Sequence, residues 1–207
     1  MEVPVVLYLA NIIDYFRIIA LYYATVQFYK GEVYMFAAFY LISYALDAFD
    51  GMAARALNQT SKLGLYLDMI IDRISSALCL HLAATKVIED NPTVYGTFAA
   101  AGLYTALILV ELVSHGVVMY KSELGGFHQK EMESNSKVVR LYLDDKRFLF
   151  FACASFEAFS LSVVLGQPVL SLISLPGFLF RSLANTLRLR DILAFRAPEE
   201  AKTKKAK

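Results

Sequence analysis

Six stretches of predominantly apolar residues constrain this chain more than any other feature, because each is close to the length of about 20 residues that an α-helix needs to cross a bilayer. They run from Val5 to Tyr29, Val33 to Leu57, Leu63 to Ile88, Thr93 to Tyr120, Phe148 to Gly166 and Val169 to Leu189. In lipid every backbone polar group must be satisfied without water, so isolated runs of this length predict helices. The breaks between them carry turn chemistry: Lys30-Gly31-Glu32, the polar run Asn58 to Lys62, Glu89-Asp90-Asn91-Pro92, a long charged connector Lys121 to Arg147, and Gly166-Gln167-Pro168. Composition agrees, since 57% hydrophobic residues and a mean hydropathy of +0.49 exceed what a soluble domain of 207 residues usually shows. The expected fold is therefore an all-α integral membrane bundle of six transmembrane helices over residues 1–195, with a basic, disordered tail at 196–207.

Six spans place both termini on one side, and the basic residues choose it. Arg55 and Lys62 flank the second connector, while Lys121, Lys130, Lys137, Arg140, Lys146 and Arg147 lie in or beside the fourth. Arg188, Arg190, Arg196, Lys202, Lys204, Lys205 and Lys207 follow in the tail, whereas the opposite connectors hold only Lys30 and Lys86. Fifteen against two predicts cytosolic termini by the positive-inside rule. The ending Lys204-Lys205-Ala206-Lys207 resembles a dilysine retrieval signal of the endoplasmic reticulum, and equally fits a basic tail on anionic headgroups. The formal net charge of +1 gives no reason to expect a nucleic-acid partner. Cys79 and Cys153 each sit in an apolar run without a CxxC partner, so neither a disulfide scaffold nor a zinc ribbon is expected. With Glu2 the only early charge, no basic region precedes the first apolar run, and a removable signal peptide is not expected. Asn11, Asp14 and Arg17 recur at three-residue spacing in that run, which suggests that it begins as a short interfacial helix.

Against this background the segment Leu46 to Arg73, LDAFDGMAARALNQTSKLGLYLDMIIDR, is costly. A carboxylate near mid-membrane costs on the order of 3 kcal/mol, so four left unpaired cost on the order of 10 kcal/mol. Asp47 and Asp50 are three residues apart and Asp68 and Asp72 four, and on helices both spacings put the pair on one face. Two helices joined by the short turn Asn58 to Lys62 run antiparallel, which brings the four carboxylates together. All-oxygen clusters suit hard cations such as Mg2+ or Mn2+, and four carboxylates suffice for two ions; the absence of His and Cys argues against zinc. Gly51 and the small Ala53 and Ala54 let a flat group approach the backbone, and Arg55 offers a planar fork for phosphate oxygens. The set describes a site for a pyrophosphate-bearing substrate whose other end is lipid.

The pattern Asp47-x2-Asp50-Gly51-x2-Ala54-Arg55-x8-Gly64-x3-Asp68-x3-Asp72 resembles the signature of the CDP-alcohol phosphatidyltransferase family, with no departure. Within that family, Asp68-Met69-Ile70-Ile71-Asp72-Arg73 is most similar to the eukaryotic phosphatidylinositol synthase branch. Further similarity to that branch runs through Ala45 to Ala56, Ser114-His115 and Arg140-Leu141-Tyr142. One departure is Ala10 before Asn11, where many members have Pro-Asn. The resemblance implies a six-helix, usually homodimeric membrane enzyme, here of the endoplasmic reticulum with its site facing the cytosol. It implies that Asp47, Asp50, Asp68 and Asp72 hold two Mg2+ or Mn2+ ions, that Asp72 is the general base, and that Gly51, Ala54, Arg55 and Ser61 contact CDP-diacylglycerol.

The implied reaction transfers a phosphatidyl group from CDP-diacylglycerol to myo-inositol. Glu111, His115, Lys137 and Arg140, at the end of the fourth helix or in the connector after it, are candidates for binding inositol. Glu157 and Arg181 are expected to pair within the bundle. A sister enzyme using glycerol 3-phosphate or another alcohol is the alternative, although a phosphorylated acceptor calls for further cations beside Asp72. An ion-coupled transporter would also use intramembrane carboxylates, but it predicts inverted repeats, and none is visible.

Overall fold

The computed structural model describes residues 3–125 and 136–194, and within them every regular element is helical. A single 3-10 turn, Val5–Leu7, precedes seven α-helices. These are α1 (Leu9–Tyr29), α2 (Val33–Ala56), α3 (Lys62–Asp90), α4 (Val94–Gly125), α5 (Lys137–Asp144), α6 (Lys146–Val164) and α7 (Pro168–Ala194). Lys130 and the tail from residue 195 onward, with its dilysine ending and expected disorder, lie outside the described residues.

The expected breaks stop helices by one recurring device. After α1, Gly31 (φ 81°) donates its N–H to Phe28 O and Glu32 donates to Gln27 O. After α2, Asn58 (φ 53°) and Gln59 repeat this on Arg55 O and Ala54 O, and after α6, Gly166 (φ 63°) and Gln167 repeat it on Val163 O and Ser162 O. Each is a Schellman stop, with its left-handed residue a glycine or an asparagine. Helix starts are equally local. Ser61 Oγ accepts the Gly64 N–H at 3.0 Å ahead of α3, Thr93 Oγ1 accepts the Gly96 N–H at 3.1 Å ahead of α4, and Asp145 caps α6 through Arg147 and Phe148.

Two expectations about elements need correction. The first helix starts at Leu9 rather than Val5, because Tyr8 is extended (φ −60°, ψ 140°) and separates the 3-10 turn from α1. The freed Leu9 N–H is taken by Gln59 Oε1 at 3.0 Å, which ties the start of α1 to the α2–α3 turn. The connector Lys121 to Arg147 is not all loop: α4 runs on to Gly125, and α5 occupies Lys137–Asp144 with Val139 and Tyr142 buried. Its one apolar face is too short to show against so many charges.

Among the described residues five helices are both long and apolar enough to cross a membrane: α1, α2, α4 through Tyr120, α6 and α7 through Asp191. At 29 residues, about 43 Å, α3 is long enough. It falls outside that group on composition alone, because Asp68, Asp72, Arg73, Lys86, Glu89 and Asp90 interrupt its apolar sequence. The exposed surface has the inverse pattern of a soluble protein. On α1, Phe16, Ile18, Ile19 and Tyr22 are exposed, while Asn11, Asp14 and Arg17 are buried. This is an integral membrane protein.

The chain forms two compact units, residues 1–78 and 79–207. In the first, α1 packs on α2, and both helices bury small residues, Ala20 and Ala24 on α1 and Ala37 on α2, of the kind that lets backbones approach. Phe28, Phe36 and Tyr40 close that seam, with Phe28 edge-on to Phe36 at 5.9 Å. In the second, α6 and α7 pack through Phe156 stacked on Phe178 at 5.0 Å and Phe148 edge-on to Phe180 at 4.8 Å, while α5 inserts Tyr142 against Ala152 and Ala184. The two free cysteines are a buried Cys79 and a half-buried Cys153.

Candidate active site

The four aspartates of the acidic stretch meet around one guanidinium that the sequence reading left outside the site. Arg17, 2% exposed, projects from α1 and is reached by carboxylates from three helices. Its Nη1 lies 3.0 Å from Asp14 Oδ1, 2.9 Å from Asp50 Oδ2 and 3.1 Å from Asp68 Oδ1. Its Nη2 lies 2.5 Å from both Asp47 Oδ1 and Asp72 Oδ1. Of these last two, the Asp72 contact has hydrogen-bond geometry and the Asp47 contact does not. Ser43 Oγ donates to Arg17 O at 3.2 Å and fixes the register of α1 against α2. Asp14 and Arg17 were legible only as a polar stripe on the first helix; that the stripe faces the aspartates of α2 and α3 is tertiary information.

The electrostatics of this centre are unbalanced. Five carboxylates face Arg17, and Arg73 adds a second cation at 3.6 Å from Asp72 Oδ2. With all groups ionised, an excess of three negative charges remains in a largely apolar surrounding, where unpaired carboxylates are costly. The donors are all oxygens, and they form two overlapping triads, Asp14–Asp50–Asp68 and Asp47–Asp68–Asp72, each with ligand atoms within 4.8 Å of one another. At metal–oxygen distances of about 2.1 Å two ligands of one ion stand at most about 4.2 Å apart, so each triad has to draw closer around an ion to bind it. Asn11 Oδ1 is buried without a hydrogen-bond partner, and Asp47 Oδ1 has only its ion pair with Arg17. Charge and donor type both fit hard divalent cations.

Beside the aspartates lies a cavity of about 490 Å3. Asp14, Asp50 and Asp68 border it, together with Asn11, Gly51, Ala54, Arg55, Ser61 and Gly64. The Arg55 guanidinium lies over Gly51: a Cβ there would stand 3.2 Å from Arg55 Nη1. At Gly64 a Cβ would come within 2.9 Å of Asn11 Oδ1, and the Asn11 amide is held by its donation to Val5 O at 2.6 Å. These two glycines thus keep room for the polar groups that border the cavity. Every residue expected to contact metal or CDP-diacylglycerol belongs to this first unit. Ser61 Oγ is already engaged as the cap of α3.

The remaining candidates, Glu111, His115, Lys137 and Arg140, belong to the second unit. Glu111 is 2% exposed and its carboxylate is fully engaged: Oε1 accepts from Arg181 Nη2 at 2.6 Å and Oε2 from Asn185 Nδ2 at 2.7 Å. Arg181 also reaches Glu157 Oε1 at 3.4 Å, the expected pairing, and lies over the Phe156 ring at 4.1 Å. Sequence reasoning matched Arg181 with Glu157 alone and missed the shorter bond to Glu111, which spans 70 residues. His115 Nδ1 lies 2.9 Å from Glu111 O, and Lys137 and Arg140 are exposed on α5.

A family model described as CDP-alcohol phosphatidyltransferase matches residues 7–174. The chain is 34% identical over 197 residues to the CDP-diacylglycerol–inositol 3-phosphatidyltransferase of Candida albicans, covering 89% of this chain and 80% of that one. It is 30% identical over 213 residues to the Saccharomyces cerevisiae protein of the same name, covering 94% and 88%, and 34% identical over 157 residues to the Homo sapiens protein, covering 74% and 68%. No solved structure matches. With the match spanning most of the chain, including every aspartate of the acidic centre, the protein belongs to the CDP-alcohol phosphatidyltransferase family.

Proposed function

We propose that the protein transfers the phosphatidyl group of CDP-diacylglycerol to myo-inositol, giving phosphatidylinositol and CMP. The observation that carries this reading is the convergence of Asp47, Asp50, Asp68 and Asp72 next to a cavity bordered by Gly51, Ala54 and Arg55. The names of the fungal and human relatives supply the acceptor.

The cytidine diphosphate enters the cavity along Gly51 and Ala54, with the Arg55 fork on its phosphate oxygens, Ser61 at its edge and the acyl chains in the bilayer. Two Mg2+ or Mn2+ ions held by Asp47, Asp50, Asp68 and Asp72 supply, when bound, charge neutralisation and polarisation at the pyrophosphate. Asp72 takes the proton of an inositol hydroxyl, whose oxygen bonds to the phosphorus carrying diacylglycerol as the bond between that phosphorus and CMP breaks. Within the second unit the residues proposed for binding inositol are His115, Lys137, Arg140 and Glu111, the last with its carboxylate held by Arg181 and Asn185. The reading includes α3 as a sixth span, cytosolic termini, a homodimer, and residence in the endoplasmic reticulum with the site facing the cytosol.

The test is purified protein supplied with CDP-diacylglycerol, Mn2+ and a panel of labelled alcohols. Label from inositol should enter the lipid fraction with stoichiometric CMP release. Incorporation of glycerol 3-phosphate in preference to inositol would replace the acceptor assignment with the sister reaction, and no incorporation of any alcohol would end the reading altogether.

A further inference from the structure

We propose that Asp14 is a fifth metal ligand, contributed by α1, and that it completes with Asp50 and Asp68 the cation site nearer the cavity. This rests on the proposed function, in which two divalent ions occupy the acidic centre, and it adds a ligand from outside the motif of α2 and α3.

The first observation is geometric. Asp14 is 1% exposed, and its carboxylate lies with those of Asp50 and Asp68 in a triad whose oxygens are within 4.8 Å of one another. All three residues border the cavity, whereas Asp47 and Asp72 do not, so the two triads face different surroundings and share only Asp68.

The second is a hydrogen count. Arg17 Nη1 carries two hydrogens, yet three carboxylates lie within 3.1 Å of it, from Asp14, Asp50 and Asp68. At least one carboxylate is always underserved, and Arg17 Nε cannot help, since it makes no hydrogen bond. If Asp14 existed only to hold Arg17, it would compete with Asp50 and Asp68 for the same two hydrogens. A divalent ion has six or more coordination positions and can serve all three once Arg17 Nη1 gives up the place between them.

The third is independent of the acids. Asn11, 1% exposed and one turn before Asp14, borders the same cavity and has a buried Oδ1 with no hydrogen-bond partner. A buried orphan acceptor beside a carboxylate triad calls for a ligand that brings positive charge or donors to that corner of the cavity.

The test is Mn2+ binding to the purified full-length chain, followed by the electron paramagnetic resonance of free Mn2+, without substrate or turnover. Wild-type protein should bind two ions. Asp14→Asn should retain one, with the other weakened about ten- to hundredfold, the range seen when supporting groups of a metal site are removed. Asp14→Cys gives a second, direct reading: a thiolate at this position should add a Cd2+–thiolate absorption over wild type, because soft ligands select soft ions. Two sites of wild-type affinity in Asp14→Asn, or no added Cd2+ absorption in folded Asp14→Cys, would overturn the assignment and leave the proposed function standing. Wild-type protein that binds no Mn2+ would overturn both.

Discussion

At the scale of single residues, Arg17 and Asp14 carry most of what the sequence did not disclose. Their three-residue spacing was legible as a polar side of the first helix, but nothing local says that this side meets carboxylates 30 to 55 residues away. The motif aspartates were legible because their spacing along two consecutive helices fixes their faces. Removing Arg17 leaves five carboxylates without their central cation, and breaking a buried charge cluster in this way typically costs about 3–5 kcal/mol. Arg17→Met should therefore lower the thermal unfolding midpoint in detergent with EDTA, and Mn2+ should restore part of the loss; an unchanged midpoint would show that the guanidinium does not hold the centre together. At Gly64 the expected effect is on binding rather than folding. Gly64→Ala pushes a methyl against Asn11 Oδ1 at the cavity edge, so the KM for CDP-diacylglycerol should rise several-fold with helicity unchanged.

Among the elements, the helix ends were the most readable part of the fold. Gly31, Asn58 and Gly166 stop three helices in the left-handed conformation, and each lies in a break placed by composition alone. The start of α1 and the existence of α5 were not readable, for different reasons. The first depends on Gln59, fifty residues away, capturing the Leu9 N–H. The second has a single short apolar face with Val139 and Tyr142 buried, and Tyr142 packs on helices that come later in the chain. The Glu111–Arg181–Asn185 node joins α4 to α7 in the same non-local way. Glu111→Ala leaves buried Arg181 with Glu157, at 3.4 Å, as its remaining carboxylate, so a loss of about 3–5 kcal/mol is expected. Denaturation in detergent should show it, and a variant as stable as the parent would mean that the node adds nothing to folding.

For the whole molecule, six apolar runs and the asymmetry of basic residues were legible, whereas the crossing of α3 rests on the functional reading because its aspartates dilute its apolar sequence. Single cysteines in a Cys79→Ala, Cys153→Ala background test it. Gln59→Cys, in the α2–α3 turn, should react with an impermeant maleimide from the cytosolic side of sealed membranes, and Asn91→Cys, after α3, only once they are permeabilised. Labelling of both from the same side would mean that α3 does not cross.

The central claim is that the acidic centre of α1, α2 and α3 is where the phosphatidyl group is transferred. Asp72→Asn keeps the shape of the side chain and removes its basicity, so Mn2+-dependent CMP release from CDP-diacylglycerol with inositol isolates that claim. General-base catalysis contributes about a hundred- to ten-thousandfold, and a loss in that range is expected from protein of unchanged helicity. Release at a near-parental rate would contradict it.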